Sequence, residues 1–492
     1  MTKEQNLKQK AASGMVWTAL QKYSTMGIQF ISGIILARLL TPYDYGCIGM
    51  LSIFMVLAEA FIDGGFGSAL IQKKRPTQED YSTIFWWNLG MATLMYAILF
   101  VSAPAISRFY DIPLLCDVLR VQGLVLFIYA FNIVQRNQLR KNLNFKVLSI
   151  VTITTSIISL GVTIYMAYKG FGVWALVSQN LLTAVIPALV FWFFIKWRPI
   201  LVFSKQSFKE LFGFGFYMFL TQMVERFSTQ LTGLVIGKVY NPSTLGYYSK
   251  ALGTERLASH TISSIMTQVT YPLYAQVQDN KALMINMIKR LTTTISYITF
   301  PMMFILMLTA KPLFVLLYSD RWIQSIPYFQ VLCFAGLAAC LQSVNLQTIS
   351  AIGKSKTMLT WTIVKRIIGL CAMLGGLFVF GMKGLLVGVI INAWFSYFVN
   401  ISLVSKHIGY RWTQQLLDIM PVGIASMLAA CIAFCGVHFL HLNMYLDGVL
   451  KLCVYLAVYI GWSLIFKPDS YTYFLSIIPA KFKFWDRRKK TL

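Results

Sequence analysis

The stretch GIILARLLTPYDYG at residues 33–46 returns, without a gap, as GLVIGKVYNPSTLG at residues 233–246. Gly33 corresponds to Gly233, Arg38 to Lys238, Pro42 to Pro242 and Gly46 to Gly246. Each copy is an apolar run that closes on a base and then on a proline-centred turn. A plain helix hairpin accounts for either copy alone, because proline presets one turn dihedral and glycine opens the next element without steric cost. The doubling decides the fold, since self-similarity at a fixed offset marks a repeat architecture. Later positions correspond too, with small gaps: Asn132 with Asn345, Gly172 with Gly384, and Asn180 with Asn392.

Composition says what is being repeated. The 492 residues are 57% hydrophobic and 12% charged, with a mean hydropathy of +0.65. A soluble domain carries about 25% charge, so this chain has too little polar surface to cover itself. Runs long enough to cross a hydrocarbon core of about 30 Å recur along the chain, and they do not alternate as barrel strands do. The expectation is an all-α, polytopic membrane protein with about 14 transmembrane helices. Gln21 and Lys22 interrupt the first apolar stretch, so the first span is expected to stay in the protein rather than act as a cleaved leader. None of the eight cysteines forms a CxxC pair. Cys431 and Cys435 share a helix face, but without His or carboxylate neighbours they read as buried thiols, and neither a metal nor a cofactor is expected.

A net charge of +26 would suit a nucleic-acid binder. Its placement points elsewhere. With the N-terminus inside, most Lys and Arg residues fall in segments on the cytoplasmic side, which is the positive-inside pattern and sets both termini in the cytoplasm. The tail KFKFWDRRKK, residues 481–490, reads as a surface segment touching anionic headgroups. Membrane lipids, and no nucleic acid, are the expected partners. An offset of 200 residues (33 to 233) leaves room for six spans per repeat. An even number of spans keeps both halves the same way up, related by an axis along the membrane normal. The expected division is an N-lobe at 1–205, a C-lobe at 206–410, each of six helices, and two extra helices with a basic tail at 411–492.

Polar residues recur at helical spacing inside the spans. Thr18, Lys22, Thr25, Gln29 and Ser32 form one stripe, repeated 200 residues on by Gln222, Glu225, Thr229 and Thr232. Ser249, Gly253, Arg256, His260, Ser263 and Thr267 lie on one face of the eighth span, and Glu59 and Asp63 on one face of the second. Faces of this kind are unstable against lipid and are expected to line a wet cavity between the lobes. For the hydroxyls alone, helix–helix hydrogen bonding is the plainer reading.

The charges are harder to dismiss, because each costs about 2.5–3.5 kcal/mol at a helix centre. The bases within spans are Lys22, Arg120, Arg226, Lys250, Arg256, Lys365 and Arg366. Arg120 and Lys250 lie near helix ends, where they can snorkel to headgroups. Arg226, Arg256, Lys22, Lys365 and Arg366 are therefore the candidates for contact with an anionic ligand. Glu59, Asp63, Glu225 and Glu255 are candidates for ion coupling or, equally, for balancing those bases. Thr25, Gln29, Gln222, Thr229, His260 and Ser263 are the candidate cavity lining. No catalytic residue is expected, because the loops are too short to hold a catalytic domain.

Three stretches carry a resemblance: GIILARLLTPYDYGCIGM (33–50), FIDGGFGSALIQKK (61–74) and QRNQLRKNLNF (135–145). They resemble the polysaccharide transport family of the multidrug/oligosaccharidyl-lipid/polysaccharide exporter superfamily. Within that family they look like the lipopolysaccharide and exopolysaccharide repeat-unit flippases. The resemblance implies fourteen helices, two six-helix lobes in a V, and movement of an undecaprenyl-pyrophosphate-linked oligosaccharide from the cytoplasmic to the outer leaflet of the bacterial inner membrane. It also admits polysaccharide assembly proteins as partners and function as a monomer, with the oligomeric state open. The family has no short catalytic signature, so no functional residue is carried over from it. A peptidoglycan-precursor flippase is the nearest alternative. A cation-coupled drug exporter would want acids to outweigh bases within the spans, and a polymerase or glycosyltransferase would want a large outer loop.

Overall fold

The computed structural model describes residues 3–277, 280–352, 354–440 and 442–477. Among these the side chains of 3–12, 214, 217, 221, 260, 264–269, 271–273, 275–276, 355–356 and 475–477 are outside the described set. The described residues form helices and turns, with no strand among them. The chain divides into two compact units, one ending at Ser249 and the other beginning at Lys250.

The first unit contains α1 (Lys3–Leu39), α2 (Pro42–Asp63), α3 (Phe66–Gln72), α4 (Gln78–Tyr110), α5 (Leu114–Lys141), α6 (Phe145–Tyr168), α7 (Val173–Phe194) and α8 (Lys205–Val239). It also takes in the opening turns of α9 (Pro242–Gln276). Helix α4 packs on α5, α1 on α6, and both α5 and α6 on α7, while α2 contacts α4, α5 and α8. The packing boundary at 249/250 and the repeat boundary expected at 205/206 are different quantities: α8 belongs by sequence to the second copy and packs within the first unit.

The repeated turn shows why its residues are doubled. Thr41 caps α2 in a reciprocal box: its N–H donates to Asp44 Oδ2 at 2.9 Å and its Oγ1 accepts from the Asp44 N–H at 3.4 Å. Asn241 does the same work for α9, its Oδ1 accepting from the Thr244 N–H at 2.8 Å. Pro42 and Pro242 each occupy the first helical position, where the missing N–H costs nothing. The two turns then meet each other. A Cβ on Gly46 would stand 1.8 Å from the Pro242 carbonyl oxygen, and one on Gly246 would stand 1.9 Å from that of Pro42. The contact is reciprocal, as at a two-fold axis, and only glycine leaves room for backbone on backbone. Lys238, the counterpart of Arg38, donates to the Phe109 carbonyl at the end of α4 and stacks 4.4 Å over the Phe109 ring.

The second unit holds α10 (Lys281–Leu308), α11 (Ala310–Tyr318), a 3₁₀ turn (Asp320–Ser325), α12 (Ile326–Ala351), α13 (Ser355–Ile408), α14 (Trp412–His438), α15 (Met444–Phe466) and α16 (Asp469–Ile477). Helix α10 is central, packing on α12, α14, α15 and α16. The span α13 is two helices joined at Gly381, whose φ of 61° and ψ of −142° are open only to glycine. Gly172, which opens α7, has nearly the same dihedrals at 54° and −127°. The conformational counterpart of Gly172 is therefore Gly381 rather than Gly384. Gly384 serves a close crossing instead, since a Cβ there would stand 1.9 Å from the Gly376 carbonyl oxygen.

Ten helical segments among the described residues are long and apolar enough to cross a membrane. Three long helices fall outside that measure, α1, α8 and α9, and these carry the polar stripes. The protein is a multi-pass membrane protein. One expectation needs correcting: Cys47, Cys333 and Cys340 are buried, but Cys431 and Cys435 are exposed on α14. An exposed thiol on an apolar helix of this kind is simply a small apolar group.

Candidate functional site

In the first unit the structure brings together Glu59 on α2 with Gln222 and Arg226 on α8. The Arg226 guanidinium lies 3.9 Å from Glu59 Oε2 and donates to the Val56 carbonyl at 3.3 Å and to Gln222 Oε1 at 3.4 Å. These distances are long against the usual 2.9–3.0 Å, so the fork is held loosely. Both side chains are about 30% exposed. Glu59 thus supplies a neighbouring-helix counter-charge, and Arg226 keeps donor capacity toward an anion.

Asp63 stands one turn on from Glu59 and has a different partner set. The left-handed Gly64 (φ 53°) and Gly65 (φ 76°) turn the chain so that the N–H groups of Gly65 and Gly67 reach the Asp63 carboxylate. Asp63 therefore anchors the N-terminus of α3. At the other end of this short helix Lys141 donates to the carbonyls of Leu70 at 2.9 Å, Ile71 at 3.1 Å, and Lys73. An acid at the start and a base at the end match the helix dipole. Lys73 then bridges Asp80 at 3.0 Å and Glu210 at 2.9 Å, tying the α3–α4 turn to α8. Burial pulls the Lys73 pKa down, but the hydrogen bonds it donates to Glu210 and Asp80 outweigh it and hold the ammonium above its ordinary value. The corner is tight: a Cβ on Gly65 would stand 2.0 Å from the Gly215 carbonyl oxygen on α8.

Because α3 is only seven residues long, it depends on these ends. Lys141→Ala is expected to destabilise the corner by about 1–3 kcal/mol, since it strips a charged donor from the helix-end carbonyls. Hydrogen exchange of residues 66–73 in Lys141→Ala should rise well above wild type. Unchanged protection would show that Lys141 does not hold α3.

Arg136 and Arg140 on α5 complete this charged face, near Asp63 and Tyr129. Sequence reading takes them only as part of QRNQLRKNLNF and does not single them out as candidate site residues. Their i, i+4 spacing was the available signal, but it could not show that α5 continues through Lys141 and sets Arg140 near Asp63 and Arg136 near Tyr129.

The hydroxyl stripe behaves as helix-internal chemistry. Thr25 donates to the carbonyls of Gln21 at 2.8 Å and Lys22 at 3.1 Å, Thr18 to Gly14 at 2.8 Å, and Thr229 to Arg226 at 2.9 Å. Lys22 is half-buried and Gln29 exposed on α1, while Glu225 is exposed on α8.

In the second unit Glu255 on α9 is only 5% exposed. Ser259 hydrogen-bonds its carboxyl, and Oε1 has no hydrogen-bond partner among the described residues. Gly336 on α12 makes room for it, since a Cβ there would stand 2.4 Å from Oε1. Arg256, the next residue, is exposed, as adjacent positions on a helix must diverge. Ser263 lies 3.8 Å from the Cys340 sulfur, and the His260 side chain lies outside the described residues. On α13, Lys365 donates to Asn400 Oδ1 at 2.8 Å and Arg366 is half-buried. Lys250 does not snorkel as expected: nine residues into α9 it is buried, with its ammonium 4.1 Å from the Tyr318 ring centroid.

A family model described as polysaccharide biosynthesis protein matches residues 35–327. The teichuronic acid biosynthesis protein TuaB of Bacillus subtilis (strain 168) is 25% identical over 351 residues, covering 71% of this chain and 73% of TuaB. The lipopolysaccharide biosynthesis protein WzxC of Escherichia coli (strain K12) is 24% identical over 425 residues, covering 84% and 85%. Among solved structures, the lipid II flippase MurJ in an inward closed conformation superposes with a TM-score of 0.73 at 14% identity, over 92% of this chain and 99% of MurJ. That likeness extends the fold over nearly the whole chain, and the matched segment spans the repeated turn and the charged face of α2 and α8. The chain belongs to the polysaccharide biosynthesis protein family.

Proposed function

We propose that this protein is a flippase that moves a lipid-linked oligosaccharide, carried on undecaprenyl pyrophosphate, across the bacterial cytoplasmic membrane by alternating access. The product would feed lipopolysaccharide or exopolysaccharide biosynthesis. The loosely held Arg226 carries this reading: on the long helix α8 it has a weak counter-ion, long hydrogen bonds and N–H donors to spare for phosphate oxygens. The relatives TuaB and WzxC, named for teichuronic acid and lipopolysaccharide biosynthesis, support the substrate class. The protein acts as a transporter rather than an enzyme. Lys22 is a further base proposed for anionic cargo in the first unit, and exposed Arg256 with Lys365 and Arg366 are the bases proposed for it in the second. Inside-negative potential then favours outward movement of anionic cargo by about 2.3 kcal/mol per charge per 100 mV. Deletion of the gene is expected to accumulate an undecaprenyl-pyrophosphate oligosaccharide on the cytoplasmic face, read by mass spectrometry of extracted lipids. Accumulation of the peptidoglycan precursor instead would reassign the substrate.

The proposed topology sets both termini in the cytoplasm. In a background without native cysteines, single cysteines at Lys74, Arg140 and Lys354 should react with a membrane-impermeant maleimide only from the cytoplasmic side. Those at Tyr43, Asp111 and Asp320 should react only from outside. All six positions are exposed or accessible on the described surface. Reaction of all six from one side would dismiss the arrangement.

A further inference from the structure

Between α5 and α7 lies a cavity of about 300 Å³ lined by Ile128, Phe131, Val185, Ala188, Leu189 and Trp192. Its walls are apolar. The Trp192 indole N–H is already committed to the Phe131 carbonyl at 3.0 Å, so the ring offers only its face. Ala188 is the small residue that leaves the space open, and Leu189 beside it is 55% exposed toward the surroundings. Within a bilayer such a groove faces hydrocarbon, and its volume suits one chain rather than two.

The mouth of the groove is basic. Arg198 stacks 5.1 Å over the Trp192 ring and donates to the carbonyls of Ile195 at 2.6 Å, Trp197 at 2.8 Å, and Trp192. It is held in place as the C-terminal cap of α7 while its side chain stays exposed, and Lys196 is exposed beside it. An apolar slot that ends at two cations matches a lipid with a hydrocarbon chain and an anionic head.

Helix geometry separates this slot from the charged face described above. At 100° per residue, Arg136 and Arg140 lie within about 20° of Tyr129 around α5, whereas Ile128 and Phe131 lie about 100–160° away. The groove thus opens on the opposite side of α5 from the residues that surround Asp63. This favours a lipid of the surrounding bilayer over the transported substrate. We infer that the α5–α7 groove binds one acyl chain of an anionic glycerophospholipid, whose headgroup rests on Lys196 and Arg198. The lipid belongs to the leaflet at the C-terminal end of α7, the cytoplasmic one in the proposed topology.

Phosphatidylglycerol carrying a photoactivatable group in one acyl chain tests this, against a phosphatidylethanolamine probe with the same chain. The full-length protein is reconstituted in nanodiscs, illuminated, and adducts are mapped by peptide mass spectrometry. Adducts on residues 128–131 and 185–192 should be ~tenfold more abundant with the anionic probe. Ala188→Phe, which fills the slot, and Lys196→Glu, which reverses the charge at its mouth, should each bring that ratio to near one. Equal labelling by the two probes, adducts spread evenly over all lipid-facing helices, or an unchanged ratio in Ala188→Phe would overturn the inference. Preferential capture of a polyprenyl phosphate probe would also overturn it, assigning the slot to the carrier chain. If Ala188→Phe fails to fold, the wild-type map and Lys196→Glu decide the matter between them.

Discussion

Gly46→Ala and Gly246→Ala are each expected to abolish surface polysaccharide, although the smallest possible side chain is added in both. The cause is the reciprocal contact of the two repeated turns. Each new methyl would fall within 1.9 Å of a proline carbonyl oxygen, which is backbone at the start of a capped helix and cannot swing aside. Ordinary overpacking costs about 1–3 kcal/mol because flexible neighbours relax, and here the neighbour is rigid, so the upper end of that range or more applies. Gly49→Ala is the internal control. Its Cβ would meet the Leu245 side chain at 3.2 Å, and a leucine can rotate away. Complementation of a deletion strain, with membrane content checked by immunoblot and the melting temperature of purified protein, reads all three. Wild-type polysaccharide and melting temperature in both Gly46→Ala and Gly246→Ala would mean the turns do not touch.

That contact also shows where reading from sequence stops. The repetition of Pro42 and Gly46 as Pro242 and Gly246 is visible because identical local chemistry makes identical local residues. That the two copies pack on each other is not visible, since no spacing along one helix encodes what lies across from it. The same limit separates Glu59 from Asp63. Four residues apart, they share a face and read as a pair. Only the left-handed turn at Gly64–Gly65 gives Asp63 backbone donors of its own and leaves Glu59 to Arg226. Thr25 and Thr229 read as cavity lining because their period is right, yet a hydroxyl on a helix can always satisfy itself on the preceding turn. Gly172 illustrates a third kind of miss. Alignment by residue identity pairs it with Gly384, whereas backbone conformation pairs it with Gly381, three residues earlier. The apolar periodicity that marks spans was the most legible feature. It was weakest in α1, α8 and α9, where polar residues dilute the signal on the very helices that carry most of the candidate site.

The remaining expectation concerns what drives transport, and Arg226, Glu59 and Glu255 separate the possibilities. In proteoliposomes with an imposed potential and no pH gradient, Arg226→Ala should lower flipping of the lipid-linked oligosaccharide by ~10–100-fold, the loss of one charge-assisted hydrogen bond of about 1.5–3 kcal/mol. Arg226→Lys should retain part of the rate, because the charge stays and the planar fork is lost. Glu59→Gln should leave potential-driven flipping largely intact and tighten headgroup binding by a few-fold, because it frees Arg226 from its counter-ion. The gain stays small because both partners are about 30% exposed and an exposed pair is worth about 1 kcal/mol or less. Glu255 is the sharper test of proton coupling. It is buried, its Oε1 has no hydrogen-bond partner among the described residues, and Arg256, the base that acts on it electrostatically, is itself exposed. Gln in its place keeps the volume and the hydrogen bond with Ser259 while removing the ionisable group. If potential alone moves the anionic cargo, Glu255→Gln and wild type should flip at similar rates under potential, and a pH gradient should add nothing to either. Wild-type flipping that persists after the potential is collapsed but stops without a pH gradient, together with a Glu255→Gln protein that responds to neither, would make Glu255 a proton carrier and reverse this expectation.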